Sequence, residues 1–395
     1  MDGLTHSLLG LTSAKAGLER LSPYTAAACI LSANAPDIDV VSFFFGGRWT
    51  VLHHHRGITH SLIGTLALGL LIPSILYGLE RAIARWRQRP PRIQYRGLMW
   101  ASLIAAATHP LMDWTNNYGV RPLLPWDGRW LYGDLVFIVD PYLLLVLGGV
   151  AFLLTSNRRW KIVFWSLLAA LVTIVLLRVP PQRIAGANGL TVARTIWIMG
   201  LLGLVLARSV GLPKRLNRSL AFGALAFVVF YWGALALVHR AAYRNASVVA
   251  NEIAAQRGER FIRVAAMPTA ANPLRWLCVA ETDRALYRFF AGVAGAQATA
   301  GDVPNLSGSG GQSGALPAIE RYEKPTGQAG RLVAVASLDP RAQVLLGFAR
   351  FPIARVESDN CPGQALVQFA DLRYTEPGAA RGNFSLSVPV QCSTP

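Results

Sequence analysis

Lysine is almost missing from this 395-residue chain: only Lys15, Lys161, Lys214 and Lys324 occur, and arginine carries the rest of the basic charge. Charged residues of all kinds make up 15% of the sequence against 53% hydrophobic, which excludes a disordered or fibrous chain and is too apolar for an ordinary soluble enzyme. Four cysteines in so long a chain exclude a disulfide mini-scaffold. A basic leader is absent as well, since Asp2 and His6 stand where a cleavable signal peptide needs positive charge, so the first apolar helix is expected to stay in the protein. No internal repeat is read. At roughly 150 residues per domain the length allows two or three folding units.

The sequence does contain long apolar runs. Six of them, at about 58–80, 97–115, 135–155, 160–178, 191–207 and 219–238, approach or reach the roughly 20 helical residues that a hydrocarbon core demands. Two shorter stretches, 4–18 and 22–33, read as a tight helical hairpin that does not fully span. Beyond residue 240 the pattern changes to short alternating runs at 261–266, 276–279, 332–337, 344–348, 366–369 and 384–390, separated by Gly, Pro and Ser. The fold class that follows is an α-helical integral membrane bundle with a C-terminal β-rich extramembrane domain. The boundaries are 1–240 for the polytopic membrane domain and 241–395 for the external one. The stretch 305–314 (NLSGSGGQSG) reads as a flexible loop between hairpins.

The net charge of +17 permits nucleic-acid binding in principle, so the position of the charges has to decide. They gather in loops 81–96, 156–161 and 208–218, alternating with the spans, as the retention of arginine-rich loops in the cytoplasm requires. The arginines are thus topology determinants, the partner is the lipid bilayer, and nucleic acid is not expected. This orientation places both termini and the second domain outside the inner membrane. Of the cysteines, Cys278, Cys361 and Cys392 then fall on the external side, where Cys361 and Cys392 are expected to pair with Cys278 as competitor. Cys29, inside an apolar helix, reads as a small core residue.

The same orientation sorts the polar residues. All seven aspartates of the membrane part fall at or near external helix ends, and so do His6, His53, His54, His55, His60 and His109. Carboxylates and imidazoles gathered at one membrane face are the donor set of a divalent metal. Each piece alone has an ordinary reading. His109 and Asp113 are four apart and share a helical face, a spacing that a plain His/Asp hydrogen bond also produces. Asp37 and Asp39 follow Pro36 and can cap the next element. Asp140 before Pro141 can do the same. The run 53–60 is harder to dismiss, because four histidines precede a span that has no structural use for them.

In order along the chain, MDGLTHSLLG, NAPDID, HHRGITHSLIG, THPLMDWTNNYG and WLYGDLVFIVDP resemble the LexA-binding, inner-membrane-associated metal-dependent hydrolase family of bacteria. The resemblance covers about residues 1–155, and more loosely the later spans and NPLRW at 272–276. It implies metal ligands at His6, Asp37, Asp39, His55, His60, His109 and Asp113, and hydrolysis with no stated substrate. The residues themselves suggest one or two divalent ions, zinc on the histidine count, held by His55, His60, His109 and Asp113, with His6 and Asp37 completing the shell or a second site. Asp39 is expected as general base or as the orienter of a histidine, and Arg56 as the holder of an anionic substrate group or as a snorkelling interfacial arginine. A phosphoester or carboxyl-type bond in a lipid or envelope-linked substrate suits a site at the membrane surface. The rival reading is a non-enzymatic membrane protein with a structural metal or an ion or proton path. The oligomeric state is left open.

Overall fold

The computed structural model describes residues 1–178, 187–292, 319–357, 363–378 and 384–391. They form two compact units: Met1–Asp39 with Arg56–Leu237 and Pro268–Pro273, and Val40–His55 with Val238–Met267 and Leu274–Pro395.

The first unit is a helical bundle. Helices α1 (Gly3–Lys15) and α2 (Thr25–Asn34) are joined by a short 3-10 turn and pack closely. A side chain at Gly10 would place its Cβ 2.6 Å from the Cys29 carbonyl oxygen, so only glycine allows this approach. After α3 (Phe43–His54, in the second unit) come α4 (Leu62–Trp86) and α5 (Tyr95–Trp114); α5 packs on both α2 and α4. The seam consists of Ala14, Cys29, Ala33, Ala101 and Ala105, all fully buried, the small residues that let helices approach where lipid supplies no hydrophobic drive. On its other side α1 meets α6 (Pro141–Thr155), which meets α8 (Ala187–Ser209); α7 (Arg159–Arg178) and α10 (Arg218–Arg257, after the short α9, Leu212–Leu216) complete the series. Leu8, Leu143, Leu147, Trp197 and Val228 are buried in this second seam.

Arginines from neighbouring helices close several helix C-termini. Arg218 donates to the Ala16 carbonyl at 2.9 Å and 3.3 Å, Arg208 to Ser156 at 2.6 Å, and Arg194 to Leu176 and Leu177. Each places positive charge against the negative end of a helix dipole.

Five runs among the described residues are long and apolar enough to cross a membrane: Thr25–His54, Leu62–Trp86, Arg159–Arg178, Gly189–Ser209 and Arg218–Arg257. They differ from the six expected ones. The helix over 97–115 exists as α5, but polar residues such as His109 and Asp113 lower its mean hydropathy and keep it off this set. The segment expected over 135–155 is helical only from Pro141, because Asp140 caps the helix there through Tyr142 and Leu143 N–H, both at 2.9 Å. The run Thr25–His54 is α2, a 3-10 stretch and α3, broken again at Gly46 and Gly47, where φ/ψ leave the helical region.

In the second unit α10 continues well past residue 240 and lays Ala242, Ala246, Val249 and Ile253 on a four-stranded sheet of order β1-β2-β3-β4 (Phe261–Thr269, Asn272–Thr282, Ala285–Gly292, Glu320–Glu323). Trp276, Cys278 and Ala280 of β2 face the helix. Val279 between them faces a second sheet, β5-β6-β7 (Pro352–Glu357, Gln364–Asp371, Ser385–Gln391), as the two-residue period of a strand dictates. The β2/β3 and β5/β6/β7 pairings are antiparallel. The runs at 332–337 and 344–348, expected as strands, are helices α11 (Gly327–Ala336) and α12 (Pro340–Phe348). The reason is local: Asp339 caps Arg341 N–H with Pro340 in the first turn, and LVAVA in an alanine-rich context suits a helix face as well as a strand. The stretch 305–314, Cys361 and Cys392 lie outside the described residues. Cys278 is a buried free thiol, pushed up to about 12 by burial.

Candidate metal centre

Four side chains of the first unit, brought by three segments, converge. Asp37 comes from the 3-10 stretch after α2, His60 from the 3-10 turn before α4, and His109 and Asp113 from successive turns of α5. His60 Nε2 stands 3.1 Å from His109 Nε2, 3.4 Å from Asp37 Oδ1 and 3.3 Å from Asp113 Oδ2. His109 Nε2 stands 3.5 Å from each of the same two carboxylate oxygens. Donors held at roughly 2.0–2.2 Å from a tetrahedral zinc would be about 3.3–3.6 Å apart, so these spacings are those of a coordination shell.

The ring orientations agree with it. His109 Nδ1 donates to the Ala33 carbonyl at 2.6 Å. His60 Nδ1 lies 3.2 Å from Asp39 Oδ2 and 3.0 Å from Thr59 Oγ1, whose own hydroxyl donates to the same Asp39 oxygen at 2.9 Å. A carboxylate and a carbonyl only accept, so the proton of each neutral ring sits on Nδ1 and the lone pairs on both Nε2 atoms face inward. Two such lone pairs 3.1 Å apart repel unless a cation stands among them. The donor set and its geometry therefore fit a divalent ion.

Arg56 fixes the most buried carboxylate. Its Nε is 3.0 Å from Asp113 Oδ2, while Nη1 donates to Asn116 Oδ1 and to the Asp113 and Gly119 carbonyls at 2.8–3.2 Å. Its guanidinium stacks 4.5 Å over Tyr118. At 1% exposure it neither snorkels to the interface nor faces solvent. The residue sits in the left-handed region (φ 56°), and its N–H bonds Asp39 Oδ2 at 3.1 Å, which holds that strained turn in place. Asp39 is thus engaged by Arg56, Thr59 and His60 together, the surroundings of an orienting residue.

His6 lies beside the group. Its ring stacks on His109 with centroids 3.8 Å apart, and Nε2 is 3.4 Å from Asp113 Oδ1, which also accepts from the α-amino group of Met1. Both His6 ring nitrogens are buried without a hydrogen-bond partner, although Asp2 caps α1 through Thr5 only one turn away. His55 ends α3 in the second unit, as do His53 and His54, which stack edge to face. His239 reaches the Ala266 carbonyl at 3.1 Å and packs by Trp276. Asp37, with its side chain 29% exposed against 0–1% for His60, His109 and Asp113, is the open edge of the centre.

Two features escaped the motif reading. Thr59 and the Ala33 carbonyl set the tautomers; Thr59 could have been flagged by its place beside His60. The octapeptides at 3–10 and 57–64, GLTHSLLG and GITHSLIG, form a short repeat, contrary to the expectation that none exists. The glycines that end the two copies are both sterically required: a Cβ at Gly10 would fall 2.6 Å from the Cys29 carbonyl oxygen and one at Gly64 1.8 Å from that of Ile58.

No solved structure matches this chain. The chain is 27% identical to YfhP of Bacillus subtilis (strain 168) over 192 residues, which is 46% of this chain and 55% of that protein, so it spans about half of YfhP's length. It is 32% identical to the inner membrane protein YbcI of Escherichia coli (strain K12) over 134 residues, 32% of this chain and 69% of YbcI. Residues 1–182 match the model of the YdjM inner membrane protein family, a range that includes His6, Asp37, Arg56, His60, His109 and Asp113. With this match and the coverage of YbcI, the chain belongs to the YdjM inner membrane protein family.

Proposed function

We propose that this protein is a metal-dependent hydrolase of the bacterial inner membrane, using one divalent ion, zinc on the donor chemistry, at Asp37, His60, His109 and Asp113. The carrying observation is the set of donor spacings between 3.1 and 3.5 Å combined with two histidines pinned at Nδ1. A divalent ion bound there supplies Lewis acidity, activating water and polarising a phosphoryl or carbonyl oxygen. Asp39 and the Ala33 carbonyl hold the two imidazoles in the donating tautomer, Arg56 holds Asp113 in place, and the Asp37 edge is the side by which substrate enters. Asp39 acts here by positioning His60. In this reading residues 1–240 form the membrane domain and 241–395 an external one, the basic loops 81–96, 156–161 and 208–218 are cytoplasmic, and the substrate is a phosphoester or carboxyl-type bond in a lipid or envelope-linked molecule. The resemblance to the LexA-binding, metal-dependent hydrolases supports the reaction class.

One observation favours a second reading, a structural ion: four protein donors suffice to close a tetrahedral shell, and catalytic zinc keeps a position open. Cobalt-substituted, detergent-purified protein separates the two. A visible spectrum that shifts on adding azide indicates an open position and supports the hydrolase; an unshifted tetrahedral spectrum supports the structural ion. Hydrolysis of p-nitrophenyl phosphate and of phospholipid vesicles should be lost in His109→Ala and retained in Asp127→Asn.

A further inference from the structure

The bundle contains a cavity of about 500 Å³ walled by α1, α6, α7 and α8, and we propose that it binds one acyl chain of a bilayer phospholipid. Its size falls within the roughly 300–1,000 Å³ of small-molecule sites. Leu4 and Leu8 of α1 form one wall, Gly148 and Phe152 of α6 a second, and Trp165 and Trp197 reach in from α7 and α8. The lining is overwhelmingly apolar, and its tryptophan N–H groups are already committed. Trp165 Nε1 donates to Thr155 Oγ1 at 2.8 Å and Trp197 Nε1 to Thr173 Oγ1 at 2.8 Å, while the Thr173 hydroxyl donates to Ala169 O at 2.7 Å. A headgroup would lose its hydrogen bonds here, whereas a hydrocarbon chain loses none.

The surroundings select the occupant. Only 6% of the apolar window of α7 is buried in protein, the lowest share of the five spanning runs, and Val163, Phe164, Leu167, Leu171 and Val175 are exposed. A span that touches its neighbours so little leaves a gap with no partner atoms on one side, and in a bilayer acyl chains supply the missing dispersion contacts. Gly148 enlarges the gap: a Cβ there would meet Leu8 Cδ1 at an ordinary 3.6 Å, so a larger residue fits the backbone and projects into the space. Helix α1 divides this cavity from the metal centre. Leu4 and Leu8 lie one turn apart on one face, and His6, two positions from each, turns to the opposite face and Asp113. The chain site does not depend on hydrolysis.

The test uses the full-length protein in phosphatidylethanolamine/phosphatidylglycerol vesicles containing phospholipid with a diazirine in one acyl chain. After irradiation, cross-links are mapped on peptides. The expected result is label on 144–152 and 197–205 exceeding that on the outward face of α4 by about fivefold, and reduced at least fivefold in Gly148→Leu with α4 labelling unchanged. Native mass spectrometry of the unmodified chain gives an independent readout, one phospholipid retained per chain after delipidation with mild detergent. His109→Ala should label like the parent, which separates this site from the metal reading. Label on 144–152 no stronger than on α4, together with no retained phospholipid, would overturn the proposal. So would labelling by diazirine palmitate but not by the phospholipid, since the occupant would then be a free fatty acid.

Discussion

Both units bury charged groups, and they neutralise them in opposite ways. In the second unit Asp371 and Arg373 are both fully buried, joined at 2.6 and 2.8 Å, with the Arg373 guanidinium against the rings of Phe348 and Tyr374 and donating to the Phe348 carbonyl. Glu259 accepts from Thr282, Tyr287 and Arg321. Each of these two carboxylates has an arginine or hydroxyl turned to it, so both networks are complete from the protein's own atoms. At the metal centre of the first unit two imidazoles turn lone pairs toward each other and toward two carboxylates, and of those two Asp113 alone has a guanidinium against it among the described residues. The contrast separates a buried network that serves folding from one that is finished by a cation.

Breaking the self-sufficient network should give the largest effect on stability. Arg373→Met leaves Asp371 buried without its partner, and the loss of one member of a buried pair costs about 3–5 kcal/mol. Thermal unfolding of the detergent-solubilised protein should show it, with bound metal unchanged in whatever protein stays folded. At the metal centre, Asp39→Ala removes the acceptor that sets the His60 tautomer, and metal affinity measured by chelator competition should fall ~10 to 100-fold. A value within twofold of the parent would remove Asp39 from its positioning role.

The smallest expected effect is on pH dependence. Burial pushes the Glu259 carboxyl up, but the hydrogen bonds from Thr282, Arg321 and Tyr287 outweigh it and hold it below the ordinary glutamate value. A carboxyl lowered in the folded state adds stability that is present above its unfolded value of about 4.3 and disappears as pH falls through the folded value. Glu259→Gln should therefore lower the melting temperature at pH 7, by a margin that shrinks as pH falls below about 4.3. A constant difference across that range would show that the ionised form is not what matters.

The sequence disclosed the donors better than the boundaries. Asp37, His60, His109 and Asp113 were legible because each stands in a short motif beside an apolar run, where a charge has no structural use. The role of His53–His55 was not, since a histidine run looks the same whether it ends a helix or forms a loop. The post taken by Arg56 was equally hidden: the loop after Asp113 folds back so that Asn116 and Gly119 meet its guanidinium, a tertiary contact without a local signal. In the second unit both faces of β2 are covered, which erases the alternation that marks a half-exposed strand. Helices α11 and α12 are hidden in the sequence because short apolar runs suit a helix face as well as a strand.

The most direct measurement is the metal content of detergent-purified protein by plasma mass spectrometry, in the parent and in His60→Ala, His109→Ala, Asp113→Ala and His53→Ala. The expected result is about one divalent ion per chain in the parent and in His53→Ala, and almost none in the other three, with all five proteins still folded in the membrane. Equal metal content in all five, or none in the parent after growth in zinc-supplemented medium, would contradict a cation at this centre.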